Sequence, residues 1–391
     1  MAKRKTVFVG LSGGVDSSVA AALLKERGYN VVGVFMQNWS EAIGCDWDKE
    51  RKDALAVAQK LGIPFKVYNF EKEYQEQVIE EFFQEYAAGR TPNPDMACNQ
   101  KIKFGTFLQR ALAEGADLVA TGHYARVKKA PVFTWRLLKA VDQTKDQSYF
   151  LATLNQKQLS KVLFPIGDYR KTQVREIAAT FGLPTAAKKD SQGICFVGNV
   201  ALRDFLATRF PIKKGKVINT DGMIVGEHDG VWFYTIGQRH GLRLSGKGVN
   251  RDLPYYVVEK DAGANQLTVA LGRHHAALYS QSLVVSNIHW ISGALPKLPL
   301  ACQARIRYRQ VPQEVILSVV DGLWPARPAV PVGRLAGGSL VFDQPQWAIT
   351  PGQYVVLYDG DEVLGSGVIE RPVAYEMGFF DTVQSSFQVT I

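Results

Sequence analysis

Two groups of residues in this chain could do chemistry: the glycines and hydroxyls of Gly10-Leu11-Ser12-Gly13-Gly14-Val15-Asp16-Ser17-Ser18, and the cysteines Cys98 and Cys195 in their polar surroundings. In the first group an apolar run ends at Gly10, a glycine-hinged loop follows, and an apolar-periodic segment begins. This is the order strand, loop, helix. Gly13 and Gly14 carry no Cβ, so backbone N–H groups can come close to a polyanion, while Ser12, Ser17 and Ser18 offer hydroxyls. The helix that follows aims the positive end of its dipole at the same place. Such a loop suits the pyrophosphate of a nucleotide such as ATP. No Gly-Lys-Ser/Thr closes it and it lacks Gly-x-Gly-x-x-Gly, so it is neither the Walker nor the dinucleotide form.

The second group is sulfur chemistry. In Thr91-Pro92-Asn93-Pro94-Asp95-Met96-Ala97-Cys98-Asn99 two prolines make the chain enter a helical turn extended and stiff. Asp95 suits the N-cap, and Cys98 falls in the first turn, where a helix dipole lowers a thiol pKa. The two share a face, which sets a proton-transferring carboxylate beside a thiolate. Asp190-Ser191-Gln192-Gly193-Ile194-Cys195-Phe196 reads as a polar, glycine-bearing loop ahead of a helix at 203–206, where a thiol could be mobile and exposed. Cys45 and Cys302 read as small buried hydrophobes. The four cysteines are widely spaced and the six histidines form no metal-spaced pair, which argues against a disulfide framework or a zinc ribbon.

These residues need a scaffold, and 391 residues with 46% hydrophobic and 21% charged composition are enough for two or three soluble globular domains. No apolar run approaches a membrane span, and Met1-Ala2-Lys3-Arg4-Lys5 leads into a strand rather than a signal-peptide core, so a cytoplasmic location without a membrane partner is expected. The net charge of +9 favours a polyanionic partner. Lys188-Lys189, Lys213-Lys214-x-Lys216, Arg239 with Arg243 and Lys247, and Arg305-x-Arg307-x-Arg309 all lie downstream of the nucleotide loop, as though other parts grip a backbone.

Up to about residue 122, strand and helix patterns alternate as a parallel sheet with crossover helices requires, with strands at 6–10, 30–35, 65–69 and 118–121. Ala54, Leu55, Ala58 and Leu61 mark one helix, and Tyr74, Val78, Ile79, Phe82, Phe83 and Tyr86 mark another. Sheets of this kind bind ligands beyond the carboxyl ends of their strands, where Gly10, Met36 and Thr121-Gly122-His123 would sit. A hairpin-like insertion at 128–140 precedes a mainly helical section through 209, with Val174, Ile177, Ala178 and Phe181 on one helix. After Pro211, short alternating runs separated by Gly, Asn and Asp turns replace this texture, among them 231–234, 255–259, 266–271, 306–308 and 315–319. The run 354–358, then Gly360-Asp361, then 363–368 reads as a hairpin. The expected fold is α/β: an N-terminal parallel-sheet nucleotide domain at 1–210, helical over about 141–210, a small β-rich central domain at 211–280 and a C-terminal β-barrel at 281–391.

The loop resembles the Ser-Gly-Gly-x-Asp-Ser signature of the PP-loop ATP pyrophosphatases, an adenine nucleotide alpha hydrolase-like fold whose enzymes leave AMP on an acceptor. Along nearly its whole length the chain resembles the tRNA-specific 2-thiouridylases, the MnmA/TrmU family. The similar segments are Gly10–Ser18, the run from Gly89 to Asn99, Ala120-Thr-Gly-His-Tyr-Ala-Arg126, Lys145-Asp146-Gln147-Ser148-Tyr149-Phe150, the Cys195 loop, Tyr234-Thr-Ile-Gly-Gln-Arg239 and Ile349-Thr-Pro-Gly-Gln353. The resemblance implies ATP-dependent replacement of the C2 oxygen of the tRNA wobble uridine by sulfur. It implies an ATP site at Gly10, Leu11, Ser12, Gly13, Gly14, Val15, Asp16, Ser17, Met36 and Gly122, with Mg2+ accompanying ATP. Cys195 would carry a persulfide received from a sulfur-donor protein, a cysteine desulfurase or a relay. Cys98 would be the nucleophile that closes a transient Cys98–Cys195 disulfide, Asp95 the general acid/base, and an external reductant would reset the pair. Asn93, Pro94 and Asp95 would frame a flipped target base, and His123, Lys145, Asp146, Gln147, Arg307, Tyr308 and Gln346 would touch tRNA.

Three other readings stay open at this point. Asp95, Cys98 and Cys195 could instead ligate an iron–sulfur cluster for the same substrate. Another PP-loop tRNA-modifying enzyme shares the first motif, although a cluster-dependent thiolase is expected to carry a Cys-x-x-Cys that this chain lacks. A nucleotide-regulated RNA-binding module without catalysis is the third.

Overall fold

A computed structural model describes residues 4–38, 47–131, 134–189, 201–242, 244, 253–319 and 334–373; Cys45, Arg243, Lys247 and the 190–196 segment with Cys195 lie outside them. The N-terminal part is built on β1 (Thr6–Gly10), β2 (Asn30–Gln37), β3 (Phe65–Asn69) and β4 (Leu118–Ala120). A hairpin of β5 (Ala125–Lys129) and β6 (Trp135–Lys139) follows, then the short β7 (Val162–Leu163). The parallel sheet runs β3-β2-β1-β4-β7. Its fifth strand was not legible in the sequence, because two residues carry no periodicity.

β1 is central and buried on both faces, as a strand covered on each side by helices must be. Its side chains alternate between two cores. Val7 and Val9 pack with helix α1 (Val15–Glu26), helix α2 (Trp47–Leu61) and the Lys171–Thr180 helix. Phe8 packs on the other side with the helical stretches over 71–87 and 94–113. The face Tyr74, Val78, Ile79, Phe82, Phe83 and Tyr86 is buried as its spacing requires. On α2 the inward set is Ala54, Val57, Ala58 and Leu61, and Leu55 points outward.

The central part holds β8 (Gly215–Asn219), β9 (Ile224–His228), β10 (Tyr255–Asp261) and β11 (Gln266–Leu271), in the order β10-β11-β8-β9. The expected strand over 231–234 is instead a 3-10 turn at Val231–Phe233. Asn265 Oδ1 accepts from Val231 N at 3.2 Å, so a side chain rather than a neighbouring strand satisfies that backbone group, and Trp232 is left to stack on Phe210.

The C-terminal part comprises β12 (Tyr279–Trp290), β13 (Leu300–Arg305), β14 (Gln313–Ser318), β15 (Arg334–Trp347), β16 (Tyr354–Asp359) and β17 (Glu362–Val373). They pair in the order β12-β15-β14-β13-β16-β17, and β17 pairs back with β12 to close a six-stranded barrel. Closure removes the unpaired edges that an open sheet would expose. The Gly360-Asp361 hairpin forms as expected, with Asp359 opposite Glu362. The 306–308 run is not a strand: β13 ends at Arg305 and the chain turns, Gln310 Oε1 accepting from Ile306 N at 2.8 Å.

Two connections weld the barrel to the nucleotide domain. The β5–β6 hairpin adds to the barrel sheet through β6, Leu137 opposite Val363 and Leu138 opposite Glu362. Beside it, Asp146 and Arg305, 2% and 6% exposed, form a 2.9 Å ion pair. Asp146 also accepts from Ala140 N, Ser148 N and Ser148 Oγ, so the carboxylate is fully engaged inside the protein. Removing one partner of a buried pair strands the other charge, a loss of about 3–5 kcal/mol. Asp146→Ala is expected to lower the thermal unfolding midpoint by on the order of 10 °C, read by calorimetry.

Candidate active site

The nucleotide loop leaves β1 at the carboxyl end of the sheet. Gly14 is the N-cap of α1, and no side chain caps that helix, so its first-turn N–H groups are not taken by a capping group. Gly13 has φ +71°, and a Cβ there would lie 2.5 Å from Glu50 O. Ser12 Oγ and Ser17 Oγ stand 3.2 Å apart at the loop mouth, while Ser18 Oγ donates inward to Gly14 O at 2.7 Å. Gly122, just beyond β4, presses on the start of α1: a Cβ there would lie 2.5 Å from Ser17 N and 2.7 Å from the Asp16 carbonyl carbon. Met36 closes in from β2, its methyl 2.9 Å from the place of a Gly10 Cβ. Loop, Met36 and Gly122 thus converge where open α/β sheets hold ligands.

Charged side chains from distant segments tighten the loop. Lys171 Nζ donates to Asp16 Oδ1 and Oδ2 at 2.7 and 2.9 Å, and Tyr124 OH donates to Oδ1 at 2.8 Å. Lys188 Nζ donates to Gly13 O at 3.0 Å and to Asp53 Oδ2 at 2.6 Å. Lys188 therefore serves the nucleotide loop rather than a backbone-gripping cluster with Lys189. Nothing in the sequence marks Lys171, Tyr124 or Asp53 for this loop, since no local pattern links residues up to 155 positions apart.

The thiol-bearing segment folds with one change from expectation. Asn93, not Asp95, is the N-cap: its Oδ1 accepts from Met96 N at 3.2 Å and Pro94 takes the first helical position. Proline's preference for that position was the signal that separates the two candidate caps. Asp95 lies in the first turn and is half-buried. Cys98, 1% exposed, begins a wide π-helical stretch, Cys98–Thr106, and packs in the same core as Ile102 and Phe104. Asn99 Nδ2 donates to Phe150 O at 3.2 Å, linking this helix to the 145–150 segment.

The residues expected to meet tRNA divide into outward and inward groups. Tyr308 is half-buried, its ring 4.5 Å from Phe150, and the exposed Arg309 lies over it at 5.2 Å. Arg307 rests on the Trp347 ring and donates to Ala348 O at 2.6 Å; burial pushes its pKa below the usual arginine value. Lys145 and Gln147 are half-buried, and Gln147 brackets Tyr124 through its side-chain oxygen and its backbone N–H. Asp146 faces Arg305, and Gln346, 4% exposed, accepts from Gln310 Nε2 at 2.6 Å and donates to Gln344 O. Both of these side chains are engaged with partners inside the protein. His123 is buried between Phe104 and Phe164 with Nδ1 2.7 Å from Thr121 Oγ1. Burial, with Lys103 adding to it, holds its pKa well below the usual histidine range, so the ring is neutral at physiological pH. Arg305 is buried against Asp146, Arg307 is half-buried and Arg309 is exposed, so the three arginines do not form one shared outward row.

Among the described residues no group of three or more His, Cys, Asp or Glu side chains could hold a metal ion, and no helix is long and apolar enough to cross a membrane.

A parallel sheet carrying this loop, extended by a small β-sheet and a closed barrel, defines an ATP-binding PP-loop protein of three parts. Family models follow the same division: a tRNA methyl transferase HUP domain over residues 5–199, a tRNA methyl transferase PRC-barrel domain over 203–271, and an aminomethyltransferase beta-barrel domain over 280–323 and 336–369. The tRNA-specific 2-thiouridylase MnmA of Burkholderia thailandensis is 50% identical over 376 residues, 95% of this chain and 94% of that protein. Its counterpart in Burkholderia cenocepacia is 49% identical over 381 residues, 97% and 96% of the two chains. In Burkholderia pseudomallei the figure is 50% over 386 residues, again 97% and 96%. The chain belongs to the tRNA-specific 2-thiouridylase family.

The fit at Gly122 makes a direct test of the nucleotide site. Gly122→Ala is expected to push the first turn of α1 and weaken ATP binding at least tenfold, on the order of 1.4 kcal/mol or more, with far-ultraviolet circular dichroism unchanged. Titration calorimetry with ATP reads the effect.

Proposed function

We infer that the protein is an ATP-dependent tRNA-uridine 2-sulfurtransferase that replaces the C2 oxygen of the wobble uridine in tRNA anticodons by sulfur. The observation that carries the reading is the nucleotide loop, with Gly13 in a left-handed turn and Gly122 against the Ser17 backbone, in a chain about half identical throughout to 2-thiouridylases. The matched domain descriptions speak of methyl transfer, whereas the relatives' names speak of thiolation. Thiolation must dispose of a carbonyl oxygen, and an ATP-cleaving loop supplies the means.

In the proposed sequence the uracil O2, with N3 deprotonated, attacks the α-phosphorus of Mg–ATP; the α–β P–O bond breaks and pyrophosphate leaves. Magnesium arrives on the triphosphate. The N–H groups at the start of α1 and the Ser12 and Ser17 hydroxyls hold the phosphates. The terminal sulfur of a Cys195 persulfide, loaded by a sulfur-donor protein, then attacks C2 and AMP departs with the former O2. The Cys98 thiolate attacks Cys195 Sγ, the S–S bond to the nucleobase sulfur breaks, and that bond's electron pair completes 2-thiouridine. The two thiols end as a Cys98–Cys195 disulfide, and two electrons from an external reductant restore them. Asp95, one turn before Cys98 on the same helical stretch, serves as the general acid/base. Since Cys98 is buried here, RNA binding must open its surroundings before Cys195 can reach it.

Asn93-Pro94-Asp95 frames the target base, and the Tyr308–Phe150 pair with Arg309, Arg307, Lys145 and Gln147 meets tRNA, His123 contributing from beneath as a neutral ring. On this reading residues 1–210 carry nucleotide and sulfur chemistry, 211–280 form the central unit and 281–391 the barrel, and the enzyme works in the cytoplasm.

Cys98→Ala and Cys195→Ala should each abolish thiolation while ATP and tRNA binding persist, measured by retardation of thiolated tRNA on mercury-containing gels. Substantial product from either variant would remove the two-thiol route.

A further inference from the structure

We propose that Lys188 is a positioning residue that selects one orientation of the Gly13–Gly14 peptide and so aims Gly14 N–H at the phosphates of bound ATP. This rests on the sulfurtransferase reading above and deepens its nucleotide step. The need for such a residue follows from the sequence of the loop. Neither Gly13 nor Gly14 carries a Cβ, so the peptide unit between them can rotate as a plate with little steric resistance. In a trans peptide the C=O and the N–H point in opposite directions, so the two orientations of the plate are chemically opposite toward an anion. One presents Gly14 N–H, a donor; the other presents Gly13 O, whose partial negative charge repels phosphate.

The structure holds the first orientation. Lys188 Nζ donates to Gly13 O at 3.0 Å, which draws that oxygen back against the protein. Asp53 Oδ2 accepts from the same ammonium at 2.6 Å and fixes it in place. Gly14 N–H then turns the other way, and among the described residues it has no acceptor. Gly14 O is turned inward as well, accepting from Ser18 Oγ at 2.7 Å and from Ser17 Oγ at 3.2 Å. Ser18 Oγ is in turn held by Thr185 Oγ1, which donates to it at 3.0 Å. Thr185 and Lys188 therefore act on successive carbonyl oxygens of the loop, one through Ser18 and one directly.

Lys188 has support of its own. Lys188 N donates to Thr185 O at 3.0 Å, and Arg175 Nη1, from the Lys171–Thr180 helix, donates to Ala186 O and to Lys188 O, each at 3.2 Å. The 185–188 turn thus stands as a bracket behind the loop. Its ammonium spends two of three N–H bonds on Gly13 O and Asp53, and the Asp53 carboxylate offsets the charge that a direct phosphate contact would draw on. Lys188 precedes Cys195 by seven positions, so the stretch of chain that leads to the proposed persulfide carrier also sets the phosphate cradle.

The test uses the full-length enzyme with Lys188→Met, which removes the bond to Gly13 O at similar length, and with Asp53→Asn, which keeps the lysine but loosens its hold. Titration calorimetry gives dissociation constants for Mg–ATP, inorganic pyrophosphate and adenosine, with far-ultraviolet circular dichroism and thermal midpoints recorded alongside. In Lys188→Met the constants for ATP and pyrophosphate are expected to rise about tenfold or more, the weight of one donor toward an anion, while that for adenosine stays within about threefold of wild type. Asp53→Asn is expected to raise the ATP constant about threefold or more. ATP and pyrophosphate constants within about twofold of wild type in Lys188→Met would overturn the proposal, as would an equal loss for adenosine, which marks general damage to the site. Unchanged or tighter ATP binding in Asp53→Asn would overturn it too, since a lysine that touched phosphate itself would gain from release. Should Lys188→Met fail to fold, Asp53→Asn decides alone. Wild-type enzyme that binds neither ATP nor pyrophosphate would sink the nucleotide reading itself, whereas wild-type binding with unaffected variants sinks only the role of Lys188.

Discussion

The buried carboxylate of Asp146 is the constraint on which the arrangement of the domains depends. A charge taken out of water must be fully satisfied, and here Ala140 N, Ser148 N, Ser148 Oγ and Arg305 Nη1 do so. Three of those partners belong to the nucleotide domain and one to the barrel. The carboxylate is therefore satisfied only in one relative placement of the two, and the β6–β17 ladder beside it has one register. Such a pair specifies geometry more than it adds stability, since its desolvation offsets most of the attraction. With that placement set, the 349–353 turn lies against the 90–93 segment, and a barrel far along the chain comes to shape the proline-stiffened segment of the first domain.

The nucleotide loop and the Cys98 segment are held by different means. Around the nucleotide loop, glycines leave the backbone accessible, and the cations Lys171 and Lys188 neutralise carboxylates and orient the loop from outside. Around Cys98 the design is enclosure: an apolar core on one side, Asn99 tied to the Phe150 carbonyl, and Asn93 held by the barrel. Enclosure shields a thiol from adventitious oxidation, which suits a residue proposed to act last. Cys302 illustrates the contrast. Burial, with Glu314 and Asp359 adding to it, pushes its pKa up to about 12, and it stays an inert member of the barrel core.

Most elements with a strong period were legible in the sequence. β1, β3, β11, the inward face of the 71–87 helical stretch and the 360–361 hairpin required only alternation, helical spacing or a turn pair. The misreadings have a common physical origin. The 231–234 run is apolar enough for a strand, but Asn265 occupies its backbone; the 306–308 run alternates, but Gln310 turns it; Asp95 can cap a helix, but Asn93 before proline caps better. In each instance a side chain fixes the backbone locally, and hydrophobic pattern does not record it.

By itself the sequence determined which chemistry the protein is equipped for, because a phosphate-cradling loop and a proline-stiffened cysteine turn are local arrangements whose meaning lies in adjacent residue types. Tertiary structure alone decided which distant groups serve them: Lys171 on Asp16, Lys188 on Gly13 and Asp53, Arg305 on Asp146 and Gln353 on Thr91, Pro92 and Asn93. These partnerships span up to 262 positions. A lysine, arginine or glutamine looks the same in sequence whether it faces water or a buried carbonyl, and only the packing of strands and helices says which.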